Sequence, residues 1–287
     1  HTLDTLPRYP TRMVNLKTPL RYPGGKSRAL KKLFNFIPDL TDYREWREPF
    51  LGGGSMSIEA TKRYPHLKVW VNDLYYPVYN FWKQLQQQGD VLSEYLGALK
   101  NTHPEPDSAK RLFKHSKEHL GTDGDELKDA IRFYVINKCS FSGLSESSSF
   151  SKQASISNFS YRGITKLPEY GELIKDWLIT NESYEELLSN DNTTFTYLDP
   201  PYEIESKLYG KKGDVHKMFN HAVFAEKCTN CKGSQLISYN DSLLIRDRFR
   251  GEWMIESYPL TYTMRSKGKY LEDQKKRDEL VLYNYGI

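Results

Sequence analysis

Cysteine is scarce. The 287 residues hold three, Cys139, Cys228 and Cys231, and so odd and small a number argues against a disulfide scaffold and favours a reducing compartment. Cys228-Thr-Asn-Cys231 has no second pair nearby to complete the four ligands zinc usually takes, so it reads as two half-buried helix thiols, not a metal or redox site. No apolar run approaches the roughly 18 residues of a membrane span, and no signal peptide is visible. Repeats and low-complexity linkers are missing. Neither sign of charge dominates: 41 Lys and Arg against 37 Asp and Glu leave +4, which is compatible with nucleic acid as a partner but does not demand it. The phosphate-cradling patterns GxxxxGK[ST] and GxGxxG are also absent in complete form.

What is present is a globular composition, 38% hydrophobic and 14% aromatic, long enough for one large or two small domains. The 21 tyrosines suit nucleobase faces as well as ordinary cores. Residues 1–18 are expected to be an N-terminal arm or an appended leader, with Met13 a candidate natural start. Strands are predicted at 47–51, 68–73, 195–199, 235–240, 254–262 and 279–285. Helices are predicted at 26–37, 55–64, 77–99, 108–120, 125–138 and 218–232. Their alternation implies an α/β fold with a mostly parallel, Rossmann-like sheet. The last two strands, joined by a short basic connection, suggest an antiparallel hairpin at one edge. Residues 76–170 read as a mainly helical insertion between two parts of a catalytic domain, 19–75 and 171–287. The serine cluster at 140–157 reads as loops or a short hairpin.

Three stretches carry chemistry. EPFLGGGS (48–55) follows a strand and opens a helix, with glycines that let backbone approach a ligand. Asp73, about 20 residues on at the end of KVWVND, can take both ribose hydroxyls or cap the next helix. Together, and without a phosphate cradle, they favour S-adenosylmethionine over a dinucleotide or ATP. RYPGGKSR (21–28) adds Tyr22, which can pack against a cofactor, and Lys26, which can meet a carboxylate.

The third stretch is TFTYLDPPYEIES (194–206), a run of β-formers that stops at two prolines. Ligand sites are expected at the carboxyl ends of parallel strands. An exocyclic nucleobase amine is a poor nucleophile because its lone pair is delocalised. Asp199 can accept one amine N–H and the Pro200 carbonyl the other, which turns the lone pair outward. Pro200 and Pro201 stiffen the turn so that these acceptors are preorganised, and Tyr202 can stack on the base. The same turn could serve adenine N6, cytosine N4 or adenine in RNA, and a catalytically silent DNA-binding module is a reading of a different class.

In this order, RYPGGK, EPFLGGGS, ND, the 76–170 insertion and LDPPY resemble the Dam-like DNA N6-adenine methyltransferases of the α group. NKCSFSGL (137–144), ISYND (237–241) and RDELVLYNY (277–285) extend the likeness over about residues 19–287. The resemblance implies a site-specific transferase that moves the methyl group of S-adenosylmethionine to the N6 amine of an adenine flipped out of double-stranded DNA, with no metal. It implies cofactor contacts from Tyr22, Lys26, Asp73 and Asp199, a cofactor wall of Phe50, Gly52 and Gly54, and Ser183 and Tyr184 near the cofactor's adenine. Asp199, Pro200 and Tyr202 would engage the target. Tyr22 stands where close relatives often have Trp. Glu146 stands where GATC-methylating relatives carry a basic residue, so a GATC target is not implied.

Lys138 and Lys152, with the hydroxyls of Ser140 and Ser142 between them, are candidate DNA contacts. Two basic stretches, 207–217 with Lys211 and Lys212 and 262–277 with Arg265 and Lys267, could track phosphates. The expected partner is double-stranded DNA, with no membrane. A cognate restriction endonuclease acting independently is left open. The expected location is the cytoplasm in a bacterial, phage or viral setting, or wherever the DNA resides.

Overall fold

A computed structural model describes residues 13, 15–22, 26–143, 149–203, 219–263 and 274–287. In chain order the first elements are α1 (Leu30–Asn35), β1 (Glu45–Glu48), α2 (Ser55–Arg63), β2 (Lys68–Asn72), α3 (Tyr76–Thr102), α4 (Pro106–His119) and α5 (Glu126–Cys139). There follow α6 (Lys152–Ser157), α7 (Tyr161–Thr165), α8 (Leu167–Leu173), β3 (Leu178–Thr180) and β4 (Thr194–Leu198). The chain closes with α9 (His221–Thr229), β5 (Ser234–Asn240), α10 (Leu243–Arg248), β6 (Met254–Thr263) and β7 (Gln274–Tyr283). Two compact units result: His1–Leu30 with Leu51–Ser183, and Lys31–Phe50 with Tyr184–Ile287.

In the first unit β2 and β3 run parallel, Trp70 opposite Leu178 and Asn72 opposite Thr180. Fully buried Asn72 ties the two strand ends together: its Oδ1 accepts from the Thr180 hydroxyl and the Glu182 N–H, both at 2.8 Å, and its Nδ2 donates to the Glu182 carbonyl. The helices form because their signals are local. Proline stands in the first turn of α3, α4 and α8, where its missing N–H costs nothing. Asp125 caps α5 by accepting the Lys128 N–H. α3 buries Phe81, Trp82, Leu85 and Leu92, with Phe81 stacked on Tyr134 of α5 at 6.1 Å. It bends at Gln88, whose φ of −151° is not helical. There Gly89 faces α8 and Gly171 faces back, so the two backbones nearly touch. Met13, Leu16 and Leu20 are buried.

In the second unit the strand order is β1-β4-β5-β7-β6. The first three run parallel, and β7 is antiparallel to both β5 and β6. All five residues of β4 are buried, as for a strand covered on both faces. Leu198, Phe224, Ile237, Tyr239, Phe249 and Leu280 form the core between this sheet and its helices. Because β1, β4 and β5 are parallel, the residues after each leave from the same sheet edge. Those are Phe50, Asp199 and Asp241.

The architecture is the α/β, Rossmann-like one expected, with the antiparallel hairpin at the edge. The details differ in places. β1 lies at 45–48 and stops before Pro49, which has no N–H for a ladder. Among the described residues the serine cluster makes one isolated bridge, Ser140 to Phe150. Its downstream part is helical because serine also caps helices: Ser151 accepts the Ala154 N–H to start α6, and Ser160 accepts the Gly163 N–H to start α7.

Gly171 gives a direct test of this packing. A β-carbon there would lie 2.6 Å from the Leu85 carbonyl oxygen, and backbone cannot give way as a flexible side chain does. Gly171→Ala is expected to lower stability by about 1–3 kcal/mol in urea unfolding, with an unchanged m-value.

Candidate active site

The glycine turn is built in the first unit. The Leu51 N–H donates to the Asn72 carbonyl at the end of β2, and the Gly52 N–H donates to Asp73 Oδ2, both at 2.9 Å. Gly52 and Gly54 take left-handed φ values of 49° and 71°, which favour glycine. Space enforces the same choice: a β-carbon on Gly52 would sit 2.9 Å from the Tyr22 ring, and one on Gly54 2.6 Å from the Trp82 ring. Trp82 also donates its indole N–H to the Gly52 carbonyl at 2.9 Å, and Thr18 donates its hydroxyl to the Gly53 carbonyl. Sequence reading missed Trp82, which looks like an ordinary core residue of an amphipathic helix.

Asp73 does two things at once. Its Oδ1 accepts the Tyr75 N–H at 3.0 Å, where the chain enters α3, while Oδ2 holds Gly52. Cap and turn anchor are therefore the same carboxylate. A carboxylate offers about four acceptor sites, so two remain for a diol. Burial pushes this carboxyl up to about 6, against the two backbone hydrogen bonds that pull it down. Bare glycine backbone beside a carboxylate with spare acceptor capacity suits an adenosyl cofactor. Tyr22 is 41% exposed and Lys26 is buried, while Pro23, Gly24 and Gly25 lie outside the described residues. Ser183 is exposed.

The residues expected to meet the target base, Asp199 to Tyr202, belong to the second unit. Asp199 follows β4 and is half-buried, as are Pro201 and Tyr202, while Pro200 is buried. Tyr202 packs on the core cluster and donates its phenol to Glu279 Oε2 at 2.5 Å. The next residue is held twice: Asn240 Nδ2 donates to the Glu203 carbonyl at 3.1 Å, and Arg248 pairs with the Glu203 carboxylate. Phe50 and Tyr184 stack at 5.5 Å and 27°, with Phe219 and Phe224 edge-on or tilted against them. Burial raises the Tyr184 phenol above its ordinary range. His221 opens α9, whose cap is Asn220, and shares a 2.7 Å hydrogen bond with the Tyr239 hydroxyl.

The candidate DNA loop is rooted in the first unit by Asn137, which is fully buried. Asn137 Oδ1 accepts the Arg21 N–H, and its Nδ2 donates to the carbonyls of Arg21 and Gly143. Arg21 in turn donates to the Ser140 carbonyl at 2.7 Å. Ser140 is buried with its hydroxyl donated to the Asn137 carbonyl, so the structure directs that hydroxyl inward. Ser142 is half-buried, Lys152 exposed, and Phe141, unremarked in sequence, is 61% exposed. Lys138 lies over the Tyr134 ring at 5.4 Å, and burial, then the charge of Arg21, pulls its ammonium down to about 8. Glu146, Lys211, Lys212, Arg265 and Lys267 lie outside the described residues. Among the described residues no group of three or more His, Cys, Asp and Glu could hold a metal ion, and no helix is long and apolar enough to cross a membrane.

A glycine turn pinned by a strand-end carboxylate, and a DPPY turn at the end of a parallel strand, define a methyltransferase of nucleobase amines. The family model of the D12 class N6 adenine-specific DNA methyltransferases matches residues 22–264, and the chain belongs to that family. It is thus an adenine-specific DNA methyltransferase, with DNA as substrate and S-adenosylmethionine as methyl donor. Among similar curated proteins, the type II methyltransferase M.CviBI of Paramecium bursaria Chlorella virus NC1A is 22% identical over 94% of this chain and 100% of its own length. The type II methyltransferase M.MjaIII of Methanocaldococcus jannaschii is 25% identical over 66% of this chain and 70% of its own. Of solved structures, a SAM-dependent O-methyltransferase from Thermotoga maritima matches with a TM-score of 0.38 at 11% identity, covering 97% of this chain and 72% of that one. That likeness is too loose to add to the assignment.

As the expected ribose ligand, Asp73 is predicted to make cofactor affinity depend on pH. Hydroxyl donors favour the ionised carboxylate, so binding lowers its pKa and releases a proton below about 6. Affinity for S-adenosylmethionine, read by calorimetry, is expected to be flat above that value and to weaken as pH falls through it. Asp73→Asn should bind more weakly at neutral pH and lose this inflection.

Proposed function

We propose that Asp199, the Pro200 carbonyl and Tyr202 receive an adenine flipped out of double-stranded DNA, and that the DPPY turn carries the reaction. The observation behind this is the position of the turn: Asp199 leaves the end of a fully buried parallel strand, and the ring of the third residue after it is anchored to the core. Asp199 accepts one N–H of the N6 amine and Pro200 the other, which aims the nitrogen lone pair outward. Pro200 and Pro201 keep these acceptors rigid, so little reorganisation is needed at the moment of transfer. Tyr202 stacks on the base in place of its former neighbours in the duplex. S-adenosylmethionine, when bound, supplies an activated sulfonium methyl group.

On this reading the cofactor contacts are Tyr22, Lys26, Phe50, Gly52, Gly54, Asp73, Ser183, Tyr184 and Asp199. Asp73 takes the ribose hydroxyls, the glycine turn presents bare backbone, and the Phe50–Tyr184 stack offers a flat face to a purine. Residues 19–75 and 171–287 form the catalytic domain and 76–170 read the DNA. Lys138, Ser142, Lys152 and the exposed ring of Phe141 face the duplex, with Ser140 at the root of the loop. The segments bearing Lys211, Lys212, Arg265 and Lys267 add phosphate contacts without sequence preference. The enzyme works where the DNA resides, in the cytoplasm of a bacterial, phage or viral setting, with any cognate restriction endonuclease acting independently.

Asp199→Ala tests the assignment. Single-turnover transfer of labelled methyl groups to mixed-sequence duplex DNA is expected to fall on the order of 100-fold or more, in protein that melts like the parent. A rate within a few-fold of the parent would move the amine-binding role elsewhere.

A further inference from the structure

One buried carboxylate has no part in the chemistry above. Glu279 lies in β7 between Asp278 and Leu280 and is 1% exposed. An ionised carboxylate is costly to bury unless it is paired and hydrogen-bonded, so packing alone does not account for it. Its Oε2 accepts the phenol of Tyr202 at 2.5 Å. The ladder sets Glu279 opposite Asn240 of β5, and Asn240 holds the carbonyl of Glu203, the residue after Tyr202. Two facing positions of an antiparallel pair thus grip two successive residues of the DPPY turn, one at a ring tip and one at a backbone carbonyl. Arg248 of α10 adds a third hold on the Glu203 carboxylate.

An aromatic side chain pivots about two torsions. The phenol oxygen lies on the Cβ–Cγ axis, so a hydrogen bond there pins the ring tip and the direction of that axis, while packing on the core cluster sets the ring plane. We propose that Glu279 is a positioning residue for the target base. It pins the tip of the Tyr202 ring, and so fixes where the ring lies on the core for the extruded adenine to stack on, so that the base arrives with its amine at Asp199. The closing hairpin β6–β7 is then part of the catalytic apparatus and not only an edge of the sheet. This rests on the reading that Tyr202 stacks on the target adenine.

The test compares the parent with Glu279→Gln, Tyr202→Phe and the double variant. It uses a duplex containing a site the parent methylates, located beforehand by mapping methylated adenines. Three quantities are read: single-turnover rate, fluorescence of 2-aminopurine at the target position, and the Kd for S-adenosylmethionine. Tyr202→Phe, which deletes the bond, should slow transfer by about tenfold or more, and Glu279→Gln, which leaves a weaker amide acceptor, by about threefold or more. Each should also reduce the 2-aminopurine signal of the extruded base. Cofactor Kd should stay within about twofold, and the double variant should be no slower than Tyr202→Phe alone, because both changes act on the same bond. Parental rates in Glu279→Gln, losses that multiply in the double variant, or an equal loss of cofactor affinity would overturn the proposal. Where Glu279→Gln does not melt cooperatively, Tyr202→Phe, which deletes the same bond and keeps Glu279, takes its place. A tenfold loss there with unchanged cofactor affinity supports the role, and a parental rate overturns it. A parent enzyme that methylates no adenine would sink the functional reading itself, an outcome distinct from all of these.

Discussion

The hydrogen bond from the Gly52 N–H to the Asp73 carboxylate is the constraint on which the cofactor side of the molecule depends. It joins a left-handed glycine turn to the end of a parallel strand, and the other oxygen of the same carboxylate starts the long helix α3. Tyr22 and Trp82 close on the turn where a β-carbon would be, so its backbone stays bare and its shape is set from several sides. Capping a helix and binding a ribose are alternative readings of an acidic residue after a strand. Here they are compatible, since two backbone donors leave acceptor capacity over. Burial that raises the carboxyl toward 6 also means that a partner with hydroxyl donors gains by ionising it.

The same device recurs wherever function meets fold. Asn72 at the end of β2, Asn137 at the end of α5 and Glu279 in β7 are buried polar side chains that bond to loops, not to their own elements. Each buried polar group must find partners or cost stability, so each fixes one loop conformation closely. Asn137 links the residue before Tyr22 to the loop carrying Phe141 and Ser142. Arg21 and the root of the proposed DNA-reading segment are thereby bonded together within their unit.

How far the sequence could be read follows from where its signals are local. The strand ending at DPPY, the glycine turn with its acidic partner at Asp73 and the long helices were legible because period, caps and prolines announce them. β1 was placed two or three residues late because REPFL continues the β pattern past the proline that ends the strand. The short helices after Ser151 and Ser160 were hidden because serine signals loops and caps alike. Ser140 looked like a free hydroxyl, yet the bridge to Phe150 turns it inward. Trp82, Asn137 and Glu279 could not be picked out at all. Their partners lie 30, 116 and 77 residues away, and only the folded chain brings such pairs together.

The central claim is that the DPPY turn methylates the N6 amine of adenine in duplex DNA. Incubation with S-adenosylmethionine carrying an isotopically labelled methyl group and mixed-sequence duplex DNA, followed by enzymatic digestion and nucleoside mass spectrometry, measures it directly. The account predicts that the label appears in N6-methyldeoxyadenosine. Label in N4-methyldeoxycytidine, or in no nucleoside while the protein is folded and binds cofactor, would contradict it.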